Sequence, residues 1–436
     1  MRVKAIVLCL ALSILAAGCT RPTGSRSETG TTQDSAATPS NENVGGPVRI
    51  SPEGADAAEP AVAAGSDGAV YVAWVEHRGK DADVFVARVN GEGQPEGSPV
   101  RVNPMAGEAR AWHGDSPTLA VAPDGALHVG WTGRVESAGM RADSLYLTTS
   151  RDGGRSFEAP VKVNDDPQPG VHGMHSLAVS RDGRVHVAWL DERNVAPPPA
   201  EGPAGGKHGH KESNREVYHA SSVDGGRTFS PNRRLASEVC PCCKTSLAAA
   251  PDGRVYVSWR QVLPGDFRHI AVASSADGGQ TFSEPSVVSD DRWMIAGCPV
   301  SGAALAVGSG GVLRVLWYTA GEAGVPGLYW SESRDGGRTF APRRVFAESG
   351  GRGTPTFLHD GKEGFVAVWE GSGGNGQPLT ARLSGVGNTV GSLVLAETGE
   401  LPAAALVAGH TFAAFVSKKD EGRGVWIVWE QPSVRS

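Results

Sequence analysis

Ala249-Ala-Pro-Asp-Gly-Arg-Val-Tyr-Val-Ser-Trp259 is a pair of apolar runs hinged on Asp-Gly. The flanking residues alternate in character, and Asp-Gly accepts the positive φ of a tight turn, so the phrase predicts a β-hairpin. It recurs along the chain. Val121-Ala-Pro-Asp-Gly-Ala-Leu-His-Val-Gly-Trp131 and Val179-Ser-Arg-Asp-Gly-Arg-Val-His-Val-Ala-Trp189 are near copies, and Trp74, Trp317 and Trp369 close three more. A weaker copy, Ala405 to Val416, lacks the tryptophan. A chain of 436 residues would suit two or three ordinary domains, but an internal repeat overrides that expectation.

A second phrase follows most copies. Ser150-Arg-Asp-Gly-Gly-Arg-Ser-Phe157 is repeated at Ser222–Phe229, Ser275–Phe282 and Ser333–Phe340. Its aspartate can accept backbone N–H bonds inside a turn, its glycines can take left-handed φ, and its aromatic ring can pack beneath. Degenerate versions lie at Asn90-Gly91 and Ser384-Gly385, and a short strand follows each copy, as in Pro99–Asn103 and Pro160–Asn164. First, second and third strands each number seven, but only six outer strands follow them. Pro47-Val-Arg-Ile-Ser51 resembles Pro99–Asn103, so the N-terminal strand would complete the last module. The expectation is an all-β chain. It forms a single β-propeller of four-stranded blades, seven-bladed with six as the alternative, closed by the N-terminal strand so that no edge is left open.

The phrase Ser-x-Asp-Gly-Gly-x-Thr/Ser-Phe resembles the Asp-box, or BNR, repeat of the sialidase superfamily, and the resemblance covers roughly residues 47–430. It implies that Asp152, Asp224, Asp277 and Asp335 are structural. It also implies that ligands bind at the opposite face, where the loops between second and third strands and the crossovers between blades emerge. Sialidase chemistry, by the same resemblance, needs three arginines on the substrate carboxylate, a Tyr nucleophile paired with a Glu, and an Asp acid/base. Arginine forks match a carboxylate bidentately, and a neutral Tyr approaches an anionic centre with less repulsion than a carboxylate would. Arg49-Ile50-Ser51 occupies the region of the superfamily's first arginine without its proline. Tyr318 is the one tyrosine expected to reach the ligand face, with no Glu at the usual place beside it. Arg78, Arg134, Arg193 and Arg260 end second strands and are ligand-face candidates or ion-paired loop anchors. No catalytic residue is carried over, which leaves a binding scaffold as the first expectation and an exo-sialidase-type glycoside hydrolase as the alternative.

The N-terminus has a different character. Arg2 and Lys4 precede an apolar run, Ala5 to Ala17, too short to span a bilayer. Leu15-Ala16-Ala17-Gly18-Cys19 resembles a bacterial lipobox, which implies a signal peptide over 1–18, lipidation of Cys19, and an extracytoplasmic place in the cell envelope held to a membrane by the lipid. Thr20 to Gly46 contains no aromatic, Ile, Leu or Met and reads as a flexible tether of roughly 30 Å reach. The folded body is expected over 47–436. A net charge of −6 gives no electrostatic reason to bind nucleic acid.

The expected ligand face collects unusual residues. Cys240-Pro-Cys242-Cys243 and Cys298 fall in two adjacent crossovers, and together they resemble loops of a subgroup of bacterial sialidase-like proteins. Two disulfides, a soft-metal site for Cu(I) or Zn, and a redox role all remain open for these four. A bridge between the adjacent Cys242 and Cys243 would strain the backbone, so pairing with Cys240 or Cys298 is favoured. His113, His172, Met174 and His175 lie in two further crossovers and are metal or ligand candidates. His208 and His210 sit in a Pro/Gly-rich insertion, Asn194–Arg215. The ligand is expected to be a glycan, a partner protein or a soft metal.

Overall fold

The computed structural model describes residues 44–430, apart from 111, 137–141, 196–212, 296, 298, 322–323, 349–352, 362–363, 373–377, 387–388 and 421. Over these residues the chain is built of strands with no helix. Five sheets have four strands each. A sixth, of nine strands, is two meanders joined edge to edge through one pairing, Val239 with Gln261, with the short strand Trp293–Met294 added. The hairpins arise where the Asp-Gly phrases placed them. Val185–Asp191 pairs with His172–Val179 on one side and with Arg215–Ser222 on the other, all antiparallel. The body begins at Val44, three residues ahead of the expected Pro47, because Val44–Arg49 pairs with Gly422–Glu430, Val48 lying opposite Ile427.

The alternation in each second strand serves two neighbours. Along Val255–Leu263, Val257 and Trp259 enter a core shared with Ala188, Leu190 and Val217 of the earlier meander of the same nine-stranded sheet. Tyr256, one residue out of phase, enters the core shared with Leu313, Val315 and Trp317 of the following sheet. Period-two geometry sends successive side chains to opposite faces, and a sheet sandwiched on both faces has to be apolar on both. Trp74, Trp189, Trp259 and Trp317 are each 0 % exposed. Phe412, Val425 and Ile427 share a core with Val70, Val72 and Trp74.

The Ser-x-Asp-Gly-Gly turns are built alike at all four positions. In the first, Asp152 Oδ1 accepts from Arg155 N (3.0 Å), Ser156 N (2.9 Å) and Ser150 Oγ (2.8 Å), while Oδ2 accepts from Ser156 Oγ at 2.6 Å. Ser150 Oγ in turn accepts from Gly154 N at 2.8 Å. The Ser156 hydroxyl and the turn amides hold the Asp152 carboxyl down at about 2. The second glycine of each turn sits on the preceding four-stranded meander. Gly154 lies over Tyr71, Gly226 over Leu147 and His128, Gly279 over His219 and His186, and Gly337 over Tyr256. The turn aromatics dock there too, Phe157 with Tyr71 and Leu127, and Phe282 beside His219.

These contacts separate two costs. Gly154 and Gly279 have the same backbone, φ +83° and +84°. A methyl group would stand 3.5 Å from Tyr71 Cε1 at Gly154 but 2.7 Å from His219 Cε1 at Gly279. Gly154→Ala should therefore lose about 1–2 kcal/mol, the left-handed cost alone, and Gly279→Ala measurably more; equal urea midpoints for the two variants would refute the docking. Asp152→Asn tests the turn itself. The carboxyl is depressed in the folded state, so its contribution is present above about pH 4 and fades as pH falls through about 2. The stability gap between wild type and Asp152→Asn should be widest near neutrality and close on acidification, and a gap constant with pH would exclude the charge as its source.

Candidate functional site

The inner strands of successive sheets surround a central cavity of about 630 Å³. Ala61, Leu119, Leu177, Leu247, Ala304 and Phe357 come from six of them, and Ala403 and Ala404 from Glu400–Val407. Small residues at these positions leave room where strands crowd together. The ionisable groups on the wall are Glu59, His113, Lys244, Glu370 and Glu400. Among the described residues the wall carries no arginine and no tyrosine.

Backbone irregularities mark this end of the inner strands. Pairing slips between Ala58 and Ala61, between Gly173 and Ser176, and between Glu400 and Ala403. In these gaps Glu59, Met174 and Leu401 take φ of 50°, 51° and 51°, and Val300 takes 46°. Left-handed φ is costly for such residues and is usually held in place by surrounding structure near a site. Nothing in the sequence announces it, since these are not residues that favour the conformation.

Three polar knots hold the rim. Asp115 accepts from Met174 N (2.7 Å) and Thr132 Oγ1 (2.9 Å), with His175 Nδ1 at 3.5 Å. Burial would raise the Asp115 pKa, but His175, Lys244 and Thr132 outweigh it and bring it to about 2. Lys244 donates to Ser116 O at 2.6 Å and Ser116 Oγ at 3.1 Å. Its walls desolvate the ammonium and lower its pKa to about 8, against the pull of Asp115 and Glu59. Glu59 meets His77 Nε2 at 3.0 Å. In the third knot His172 Nε2 stands 3.2 Å from Asp166 and 3.4 Å from Asp191. Burial alone would lower the His172 pKa, but the two carboxylates raise it to about 9.

The sequence candidates do not converge. His113 is exposed and lines the cavity. His172, Met174 and His175 lie inside the strand His172–Val179 rather than in an open crossover, because the slip at Met174 lets pairing extend back to His172; all three are buried. Arg78 pairs with Asp83, Arg134 with Asp81 (3.3 Å), and Arg193 with Asp191 (2.8 Å) and Asp165 (2.7 Å) while covering the Tyr218 ring at 4.2 Å. Arg260 is fully buried and donates to Ser301 O (2.9 Å) and to Tyr318 O (3.0 Å). Tyr318 packs edge-on against Trp293, ring centroids 5.6 Å apart. Cys240 and Cys243 are free thiols and Cys242 is disulfide-bonded, so a bridge at Cys240, as in the two-disulfide reading, is replaced by a thiol pair. The Cys243 neighbour, with Arg260 and Arg268 beside it, brings Cys240 down to about 6 against the effect of burial. Cys19, His208, His210 and Cys298 lie outside the described residues.

Residues 80–292 match the family described as BNR repeat-like domain. A protein of unknown function from Dyadobacter fermentans is similar in structure over 90% of this chain and 100% of its own, at 14% identity and TM-score 0.52. The Hadza microbial sialidase Hz136 is similar over 83% of this chain and 77% of its own, at 15% identity and TM-score 0.51. The polysaccharide lyase Uly1 is similar over 86% and 90%, at 12% identity and TM-score 0.52. No curated protein matches the chain. Residues 80–292 are thus a BNR repeat-like domain, and the fold of the chain is sialidase-like. It is a β-propeller whose Asp-box turns and cavity wall use separate sets of residues, and function resides in such a site rather than in the fold.

The His172 knot gives a direct test of the electrostatics of this BNR-repeat propeller. With the folded pKa raised, the stabilisation is complete below about 6.5 and is lost as pH rises through about 9. In a histidine-labelled NMR titration His172 should stay charged at pH 8 while His128, lowered to about 4 by burial, stays neutral. A His172 midpoint near 6.5 would show that Asp166 and Asp191 do not hold it.

Proposed function

We propose that this protein is a non-hydrolytic, sialidase-like binding propeller, lipid-anchored through Cys19 on the extracytoplasmic side of a bacterial envelope. It has seven blades, the strand Val44–Arg49 completing the last. Six sheets, one of them a double meander, support the count, and the pairing of Val48 with Ile427 supports the closure. The reading rests on one observation: the central cavity is walled without arginine or tyrosine among the described residues. A sialic acid carboxylate would find no guanidinium fork there. It would instead meet Glu59, Glu370 and Glu400, opposed by Lys244 as the cationic side chain and by His113. Such a rim favours a neutral or cationic ligand, a neutral glycan or a basic segment of a partner protein.

A fluorogenic sialoside should give no turnover above background, and sialic acid should leave the melting temperature unchanged. Robust turnover that disappears in Tyr318→Phe would establish the hydrolase instead. Lipidation is read separately: wild type should partition with membranes and incorporate labelled fatty acid, and Cys19→Ser should be released and unlabelled. Unchanged partitioning of that variant would remove the lipid anchor from the reading.

A further inference from the structure

Three buried sulfurs lie together in the connector between the strands Arg233–Val239 and Ser246–Ala249. The Sγ atoms of Cys240, Cys242 and Cys243 all lie within 4.8 Å of one another, and among the described residues no histidine or carboxylate joins the group. Cys240 Sγ is 3.1 Å from Cys243 Sγ and 3.8 Å from Cys242 Sγ. Cys240 is 1 % exposed and Cys243 0 %, and Val262 and Val300 pack against them.

Two cations are buried alongside. Arg260 acts electrostatically on both thiols and Arg268 on Cys240, and Cys240 N donates to Arg260 O at 2.9 Å. Arg260 Nη1, Arg268 Nε and Arg268 Nη1 are buried with no hydrogen-bond partner. Asp266 stands 3.9 Å from Arg268 Nη2, beyond hydrogen-bond reach. Buried guanidinium N–H groups without acceptors are costly. Neutral thiols do not relieve that cost, whereas negative charge on the sulfurs does.

We infer that Cys240 and Cys243 form a dithiolate site for one Cu(I) ion, with Arg260 and Arg268 balancing its charge. The donor set selects the ion. Hard cations require oxygen ligands. Zinc takes four nitrogen, sulfur or oxygen donors and an iron–sulfur cluster four thiolates, and Cys242 has no thiolate to give because its sulfur is already bonded. A soft monovalent ion is satisfied by two thiolates in an apolar shell. On binding, each thiol loses its proton to solvent, two S–Cu bonds form, and the complex carries one net negative charge; no electron is transferred. The site stands on the sulfur pocket and is independent of what the central cavity binds.

The test uses the full chain, titrated anaerobically with Cu(I) as its acetonitrile complex against a chromogenic Cu(I) chelator. One equivalent should be retained, with only sulfur neighbours by X-ray absorption and with affinity rising with pH as two protons leave. Cys240→Ser and Cys243→Ser should each weaken retention by at least about a hundredfold, and Arg268→Gln by about tenfold, the scale of outer-shell changes at metal sites. Because a serine variant could fail to fold, wild type carries a second readout: Cu(I) should protect two thiols per chain from alkylation. Loss of all copper to the chelator, copper retention unchanged in the Cys240→Ser/Cys243→Ser double variant, no thiol protection, or tighter retention of Zn(II) than of Cu(I) would each overturn the site.

Discussion

The contact on which the architecture depends is a glycine resting on a ring or branched side chain one meander away. Each Asp-box turn is tied internally by its aspartate, but its second glycine is what brings the turn down onto Tyr71, His128, His186 or Tyr256 of the preceding meander. The position demands left-handed φ and tolerates no Cβ where the neighbour is closest, as at Gly226 and Gly279. The aspartate and the glycine thus divide the work. One fixes the shape of the turn, and the other lets that shape approach the next layer. The same second strand offers its tryptophan to the opposite neighbour, so every module is gripped from both faces by residues a single position out of phase.

That arrangement explains which parts of the fold were legible in the sequence. The Asp-Gly hairpins, the buried tryptophans and the four Asp boxes follow from local rules of turn chemistry and alternation, and they stand where those rules put them. The platform beneath the turn, the second residue of each of the strands that leave these hairpins, was harder to read. Tyr71, His128, His186 and Tyr256 share one position in the repeated phrase, but their role as platforms depends on a turn about eighty to a hundred residues further on. Arg314 holds that position in the phrase of Trp317, ahead of the degenerate Ser384-Gly385 version of the turn.

The site was less legible, for physical reasons that differ residue by residue. His172, Met174 and His175 read as an open crossover because no local signal predicts a bulge at methionine with positive φ. Once that slip exists, the strand extends and swallows both histidines, and buried carboxylates rather than a ligand become their partners. Arg78, Arg134 and Arg193 were visible as loop cations, yet Asp83, Asp81 and Asp191, which occupy them, lie a few residues to tens of residues away. Lys244 and Asp115 were passed over although Lys244 directly follows Cys243 and Asp115 lies two residues after His113. Their importance lies in low local polarity, which composition does not report.

The pairing of Val44–Arg49 with Gly422–Glu430 bears on how the molecule is made. Partners such as Val48 and Ile427 are almost the whole folded chain apart, and Arg423 reaches back to Asp56 at 2.7 Å. Closing so long a loop is entropically expensive and slow relative to local hairpins. During synthesis the early sheets can form as they emerge, but the strand Val44–Arg49 has no partner until Gly422–Glu430 has been delivered. Assembly therefore ends with a latch rather than a nucleus. Until it shuts, the strand Gly422–Glu430 has an uncovered edge, and a chain cut short before residue 422 keeps its opening strand unpaired.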